Sequence, residues 1–258
     1  MQPAVINIFE KAVKKAGKIL LRDFGELENL QIQSKSVGDF VTNADIKVEK
    51  TLLETLKYYY PDYTYITEES GEIKGDENTI IIDPIDGTSN FMHGIPHFAI
   101  SIALKKKGEV ISGIICDPIK NETFYAEKGR GSYVNNRRIR VSSRKNLEEI
   151  IGLYGCPPMA KVKENKFFDQ LQRASIDIHK LRNYGSAALD FAYVASGRAD
   201  FAWYEHLKYW DYAAGKIILL EAGGTISDFA GKSFDKKNET YISNSLIHDQ
   251  VHKILFKN

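Results

Sequence analysis

The chain has 258 residues, with 35 lysines and arginines against 34 acidic residues and a formal net charge of +1, so no global field gathers a polyanion and nucleic acid is not expected as a direct partner. Cys116 and Cys156 are the only cysteines. They exclude a disulfide framework or a cysteine metal site and are expected as reduced core residues. Charges interleave the apolar residues of the first twenty positions, which excludes an uninterrupted signal or membrane segment and places the protein in the cytoplasm.

Val5, Ile8, Phe9, Ala12, Val13, Ala16, Ile19 and Leu20 recur at steps of three and four, which predicts an amphipathic helix over residues 4–22. Gly25 follows, LQIQSK reads as a short strand or extended loop, and SVGD breaks it. A second helix is predicted from Thr42 or Asn43, carrying Ile46, Val48, Leu52, Leu53 and Leu56 until Pro61 stops it. The period then changes: TYI, NTIIID, HFAISIALK, EVISGIICD and ETFYAE read as short strands, and KKKGEV as a hairpin turn. The basic clusters Lys105 to Lys107 and Arg137, Arg138, Arg140 are read as solvated hairpin ends. From about residue 143 helical and strand patterns alternate, with helices expected near 163–174 and 246–257. An antiparallel half over residues 1–143 and an α/β half over residues 144–258 are expected to pack as one unit with a cleft between them.

The segment IIIDPIDGTSNF carries the chemistry. Three isoleucines form a buried strand ending, and Asp83 and Asp86 follow it, held close by Pro84. Two like charges at this spacing call for a compensating cation, and hard divalent ions suit carboxylate pairs. Gly87, Thr88 and Ser89 read as the start of a short helix, with Thr88 or Ser89 able to cap it and an anion able to sit on its free N–H groups. Asp, Pro and Gly also dominate ordinary turns, so this segment alone leaves both readings open. Further acids stand at other segment ends, each with an ordinary reading too: Glu68 and Glu69 as a solvated loop, Asp45 as a first-turn helix acid, Asp211 as an N-cap. Tyr58, Tyr59, Tyr60, Tyr63 and Tyr65 are read as packing residues. Trp203, Tyr204, Tyr209, Trp210 and Tyr212 either line the cleft or pack beneath it, and His93 and His97 are read as structural.

With these residues in view the chain resembles the inositol monophosphatase family. DPIDGTSNF looks like its DPIDGTxNF signature and WDYAAGKIILLEAGG like its WD-x-AAG…EAGG signature. GDFVTNADIKVEK resembles its D-x-VT-x-x-D-x-x-x-E segment and TEESG its GEE segment, all in family order. The resemblance implies an α+β / α/β chain with the layered αβαβα sandwich of the sugar-phosphatase (inositol monophosphatase-like) fold, and a magnesium-dependent phosphomonoesterase acting on myo-inositol monophosphate or a similar small polyol phosphate. It further implies two to three Mg2+ per site. Glu68, Asp83 and the carbonyl of Ile85 would hold the first, Asp83, Asp86 and Asp211 the second, and Glu68 would touch a weaker third. Asp45 and Thr88 would orient the attacking water, and the amides of Gly87 and Thr88 would receive the phosphate. The loop at Gly185, Ser186 and Ala187, together with Glu205, would contact sugar hydroxyls. Glu205 stands six residues before Asp211 where the family pattern has seven, and Tyr209 replaces a proline. Lithium inhibition and a homodimer are further implications. Histidinol phosphate, fructose bisphosphate and 3′-phosphoadenosine phosphate are alternative esters, and a mainly regulatory role in RNA metabolism is the alternative outside enzymes.

Overall fold

The structure, a computed structural model, describes residues 2–32, 37–156, 166–232, 234 and 239–256, with only the backbone path given for 27–32 and 37–42. Helices α1 (Ala4–Ile32) and α2 (Val37–Tyr59) open the chain and pack on each other. Their apolar stripes, Ile6, Phe9, Ala12, Val13, Ala16 and Leu20 with Ala44, Val48, Leu52 and Leu56, are fully buried. Each valine, leucine, isoleucine or phenylalanine among them gains about 1.5–3 kcal/mol relative to exposure.

Both helices are longer than their sequence signals. Gly25 lies exposed inside α1, at a cost of about 1 kcal/mol relative to alanine. The helix continues because Phe24 packs on Phe91 and Phe98, at centroid distances of 5.7 and 5.0 Å, a long-range gain invisible to local pattern. The strand or loop expected at LQIQSK is therefore helix as far as Ile32, and residues 33–36 lie outside the described residues. α2 starts at Val37 rather than Thr42. Gly38 in its first turn costs little, because the first N–H groups of a helix lack intrahelical partners anyway.

Eight strands follow: β1 (Thr64–Thr67), β2 (Gly71–Ile73), β3 (Thr79–Asp86), β4 (Ala99–Lys106), β5 (Glu109–Asp117), β6 (Glu122–Glu127), β7 (Gly131–Val134) and β8 (Arg137–Ile139), with the short α3 (Thr88–Met92) between β3 and β4. They form one sheet in the order β2-β1-β3-β4-β5-β6-β7-β8. The expectation of a purely antiparallel sheet is corrected at one edge, where β1 runs parallel to β3 with Thr67 opposite Ile82. The remainder of the chain gives β9 (Ile151–Tyr154), α4 (Phe167–Asp177), β10 (Lys180–Arg182), α5 (Ala187–Ala195), β11 (Phe201–Glu205), α6 (Tyr209–Glu221), β12 (Gly224–Ser227), β13 (Glu239–Asn244) and α7 (His248–Phe256). A second sheet has the order β10-β9-β11-β13-β12, parallel across β10, β9 and β11 and antiparallel across β11, β13 and β12.

The layers alternate as an αβαβα sandwich. α1 and α2 cover one face of the first sheet, burying Ile80, Ile82, Ile85, Ile100 and Ile102. α5 and α6 fill the space between the two sheets against Ile81, Ala103, Ile115 and Ile242. α4 and α7 cover the outer face of the second sheet around Trp203 and Tyr241. The middle layer is thin because small residues meet there: a Cβ added at Gly215 would stand 2.6 Å from the Cβ of Phe191, and one at Gly113 would stand 2.8 Å from the Cα of Ala214. Of the two cysteines expected in the core, Cys116 is buried and Cys156 is exposed. Tyr65 is buried as expected of packing residues, whereas Tyr58 stands open to solvent at the end of α2. Trp203, Tyr204 and Tyr212 pack inside. Among the described residues no helix is long and apolar enough to cross a membrane.

Candidate metal centre

In a regular strand residues i and i+3 point to opposite faces, so Asp83 and Asp86 would not converge. They converge here because β3 carries a bulge. Asp83 pairs with Ser101 and Asp86 with Ala99, so three steps along β3 oppose two along β4. The extra residue resets the alternation and turns both carboxylates toward the middle layer. Pro84 suits this position, since a bulge releases a residue from its ladder bond. The strand thus runs through Asp86 instead of ending before the aspartates.

Asp211 arrives from α6. It occupies the third helical position and accepts the Lys208 N–H at 2.6 Å, so it is an acid of the first turn and not the N-cap of its ordinary reading. One carboxylate oxygen from each of Asp83, Asp86 and Asp211 lies within 4.8 Å of the others. Asp86 is further held by α5, whose N-cap Ser186 donates its hydroxyl to Asp86 Oδ2, while the Ala188 N–H donates to the same oxygen at 3.0 Å. Thr88 Oγ1 donates to the Ile85 carbonyl at 2.8 Å, and Gly87, at φ 94°, is the N-cap of α3 in place of Thr88 or Ser89. A left-handed residue with two carbonyls 3.1 and 3.2 Å from any Cβ must be glycine.

These acids are forced toward protonation. Burial, then the charges of Asp86, Glu68 and Asp211, raise Asp83 well above the usual carboxylate range. Burial and Asp211 push Asp86 up to about 7, although the bonds from Ser186 and Ala188 pull the other way. Asp211 rises to about 6, chiefly by burial, and Glu68 to about 7 by packing on its protein-facing side and the charges of Asp211 and Glu69. Glu68 stands at the rim, open to solvent on one side. Asp45 is driven up to about 8 by burial and by Glu69, Glu68 and Glu49. It lies in the third turn of α2, not the first, which is why no helix terminus stabilises its charge.

A divalent cation fits this set. Asp83 Oδ1 and Asp45 Oδ1 are buried oxygens without a hydrogen-bond partner, and all the donors are hard oxygens. Asp83, Asp86 and Asp211 could hold a metal ion, and an ion would return these carboxylates to their charged form.

The chain matches the sequence profile of the inositol monophosphatase family over residues 1–257. It belongs to the inositol monophosphatase family. The protein named inositol-1-monophosphatase of Rhizobium meliloti (strain 1021) is 43% identical over 230 residues, covering 88% of this chain and 86% of that one. The protein named Nus factor SuhB of Escherichia coli (strain K12) is 39% identical over 229 residues, covering 88% of this chain and 86% of that one. Among solved structures, the extragenic suppressor protein suhB from Bartonella henselae superposes with a TM-score of 0.90 at 36% identity, covering 99% of this chain and 100% of that one.

Of the residues that the inositol monophosphatase signatures single out, Asp83, Asp86 and Asp211 come together, and Glu68 interacts with Asp83. Ile85, Gly87 and Thr88 follow on the same turn, and Ser186 and Ala187 open α5 beside Asp86. Glu205 ends β11, with His206 Nε2 3.9 Å from its Oε2, on the connection leading to Asp211. Three further contributors carry no assigned role in the sequence reading, although Asn90 lies in the DPIDGTSNF signature and Glu49 is the final acid of the GDFVTNADIKVEK segment. Asn90 donates to the carbonyls of His97 (2.8 Å) and Tyr184 (2.7 Å), tying α3 to the loop before Ser186. Buried Asp190 accepts the Tyr204 hydroxyl behind Asp86. Glu49 accepts the N–H groups of Glu69 and Ser70. Glu49 also has a local signal in its four-residue spacing from Asp45 on one helix face.

Proposed function

We propose that this chain is a magnesium-dependent phosphomonoesterase that hydrolyses myo-inositol monophosphate, or a similar small polyol phosphate, to the free polyol and inorganic phosphate. The observation that carries it is the convergence of Asp83, Asp86 and Asp211, three acids that need a cation and stand beside helix N-termini suited to a phosphate. Glu68, Asp83, Asp86, Asp211 and the Ile85 carbonyl would hold two to three Mg2+. When bound, the metal compensates phosphate charge, acidifies the attacking water and stabilises the departing alkoxide. Asp45, with one oxygen unbonded, and the Thr88 hydroxyl orient that water. With a metal bound and its charge restored, Asp45 would also accept the proton of that water. The N–H groups of Gly87 and Thr88 receive the phosphoryl oxygens, and Ser186, Ala187 and Glu205 contact the polyol. The P–O bond to the polyol breaks as the water oxygen bonds to phosphorus, and the polyol leaves with the proton it needs from solvent.

Residues 1–143 and 144–258 act as two subdomains flanking this site, in a cytoplasmic homodimer that lithium inhibits. Phosphate release from inositol monophosphate, histidinol phosphate, fructose bisphosphate and 3′-phosphoadenosine phosphate, each with Mg2+, tests the substrate. The inositol ester should have the highest kcat/KM, and a preference of more than about a hundredfold for another ester would overturn that choice. Relatives named Nus factor SuhB support a second reading, in which the chain acts mainly as a regulatory binding protein. It would prevail if Asp86→Asn abolished hydrolysis in a folded protein yet left the cellular phenotype of the gene intact.

A further inference from the structure

Glu49 lies one helical turn beyond Asp45 on α2 and is 2% exposed. A carboxylate buried this far is costly unless hydrogen-bonded donors surround it. Both of its oxygens are committed to one turn of chain. Oε2 accepts the Glu69 N–H at 3.0 Å, and Oε1 accepts the Ser70 N–H at 3.1 Å and the Ser70 hydroxyl at 2.5 Å. The same turn is braced by Thr67 Oγ1, which accepts the Ser70 N–H at 3.2 Å and donates to the Gly71 carbonyl at 3.3 Å.

Glu68 is the residue between these two anchors. On its N-terminal side Thr67 is fixed in β1, opposite Ile82 and so one residue short of Asp83 in the parallel register. On its C-terminal side the backbone of Glu69 and Ser70 is gripped by Glu49. With both neighbours fixed, the Glu68 side chain is delivered to Asp83, with which it interacts.

We propose that Glu49 is a positioning residue of the metal centre: its two-oxygen grip on the Glu69–Ser70 backbone aims Glu68 at Asp83, so that metal affinity depends on a carboxylate that holds no metal itself. The inference rests on the metal-binding reading of the site given above. α2 then serves the site twice on one face, through Asp45 and, one turn later, through the turn that Glu49 holds.

The test is titration of the full-length, chelator-treated protein with MgCl2 alone, by calorimetry and by the Mg2+-dependent rise of the unfolding midpoint. Glu49→Gln replaces an acceptor by an NH2 group facing N–H donors, and it should weaken Mg2+ binding by about tenfold or more. Ser70→Ala, which removes one of the three donors without changing charge, should weaken it less and in the same direction. In a Glu68→Gln background, Glu49→Gln should produce no further weakening. A lower metal-free midpoint with unchanged Mg2+ affinity would make Glu49 merely structural and overturn the proposal. So would an effect of equal size with and without Glu68, which would mark a simple charge effect. Should Glu49→Gln fail to fold, Ser70→Ala decides alone, and unchanged affinity there overturns the proposal. Absence of Mg2+ binding by the wild-type protein would remove the metal reading and this inference together, whereas wild-type binding with unaffected variants would remove this inference alone.

Discussion

Asp45→Asn in metal-free protein should alter the pH dependence of stability by one proton. Asp45 is buried, its Oδ1 has no partner, and its pKa is raised from 3.8 to about 8. For an acid whose folded pKa lies above its unfolded pKa, the folded state keeps a proton that the unfolded state releases. Stability is therefore full below the unfolded value, falls as pH rises through the interval between the two, and levels off above the folded value. Inside that interval the loss is about 1.4 kcal/mol per pH unit, or about 2.7 kcal/mol between pH 5 and 7. Glu68, Asp83, Asp86 and Asp211 also titrate, but they do so in both proteins and cancel in the difference. The change at Asp45 disturbs them little, because Asp45 is already neutral across this range. Urea unfolding of both proteins in chelator at pH 5, 6 and 7 measures the effect: wild type should lose stability relative to the variant by about 1.4 kcal/mol at each step. Parallel curves would refute the reasoning and place Asp45 in a solvated or bonded environment.

Two substitutions probe the supports of the site. Ser186→Ala removes both the donor to Asp86 and the α5 cap that accepts the Leu189 N–H at 3.4 Å. Urea unfolding should register a loss of about 1 kcal/mol, and calorimetry a Mg2+ affinity lower by about tenfold; unchanged values in both would discount this support. Gly87→Ala forces a Cβ at φ 94° against the carbonyls of His97 and Gly185. It should destabilise by about 1–2 kcal/mol and slow phosphate release, and full activity at wild-type stability would show that the turn tolerates another path.

The amphipathic helices and most strands were legible because their signals are local: buried residues of α1 and α2 repeat every three or four positions, and the Lys107–Gly108 turn of the β4–β5 hairpin is a plain breaker. What was not legible depends on contacts far along the chain. α1 runs past Gly25 because Phe24 meets Phe91 and Phe98, and β1 pairs in parallel with β3 although only a short hairpin strand lies between them in sequence. The aspartates of the site are readable as residue types within signatures, and the resemblance implies that they meet, but the backbone feature that brings them together is not readable. That feature is the bulge between Asp83 and Asp86, which appears only when β3 is laid against β4. The ordinary reading of Asp211 as an N-cap fails because the cap lies three residues earlier, at Lys208, which is not one of the residue types that mark a cap. Glu49 carried a spacing but no visible partner, since the turn it grips lies 20 residues on.

In the proposed function, hydrolysis depends on a metal held by Asp83, Asp86 and Asp211. Phosphate release from myo-inositol monophosphate by chelator-treated wild-type and Asp83→Asn proteins, before and after addition of MgCl2, decides whether that dependence holds. Asp83 is the member raised by all the other acids, and asparagine preserves its volume while removing its charge. Wild type should be inactive in chelator and recover with Mg2+, while folded Asp83→Asn should stay inactive at any Mg2+ concentration. Turnover by wild type in chelator, or by Asp83→Asn at the wild-type rate, would contradict it.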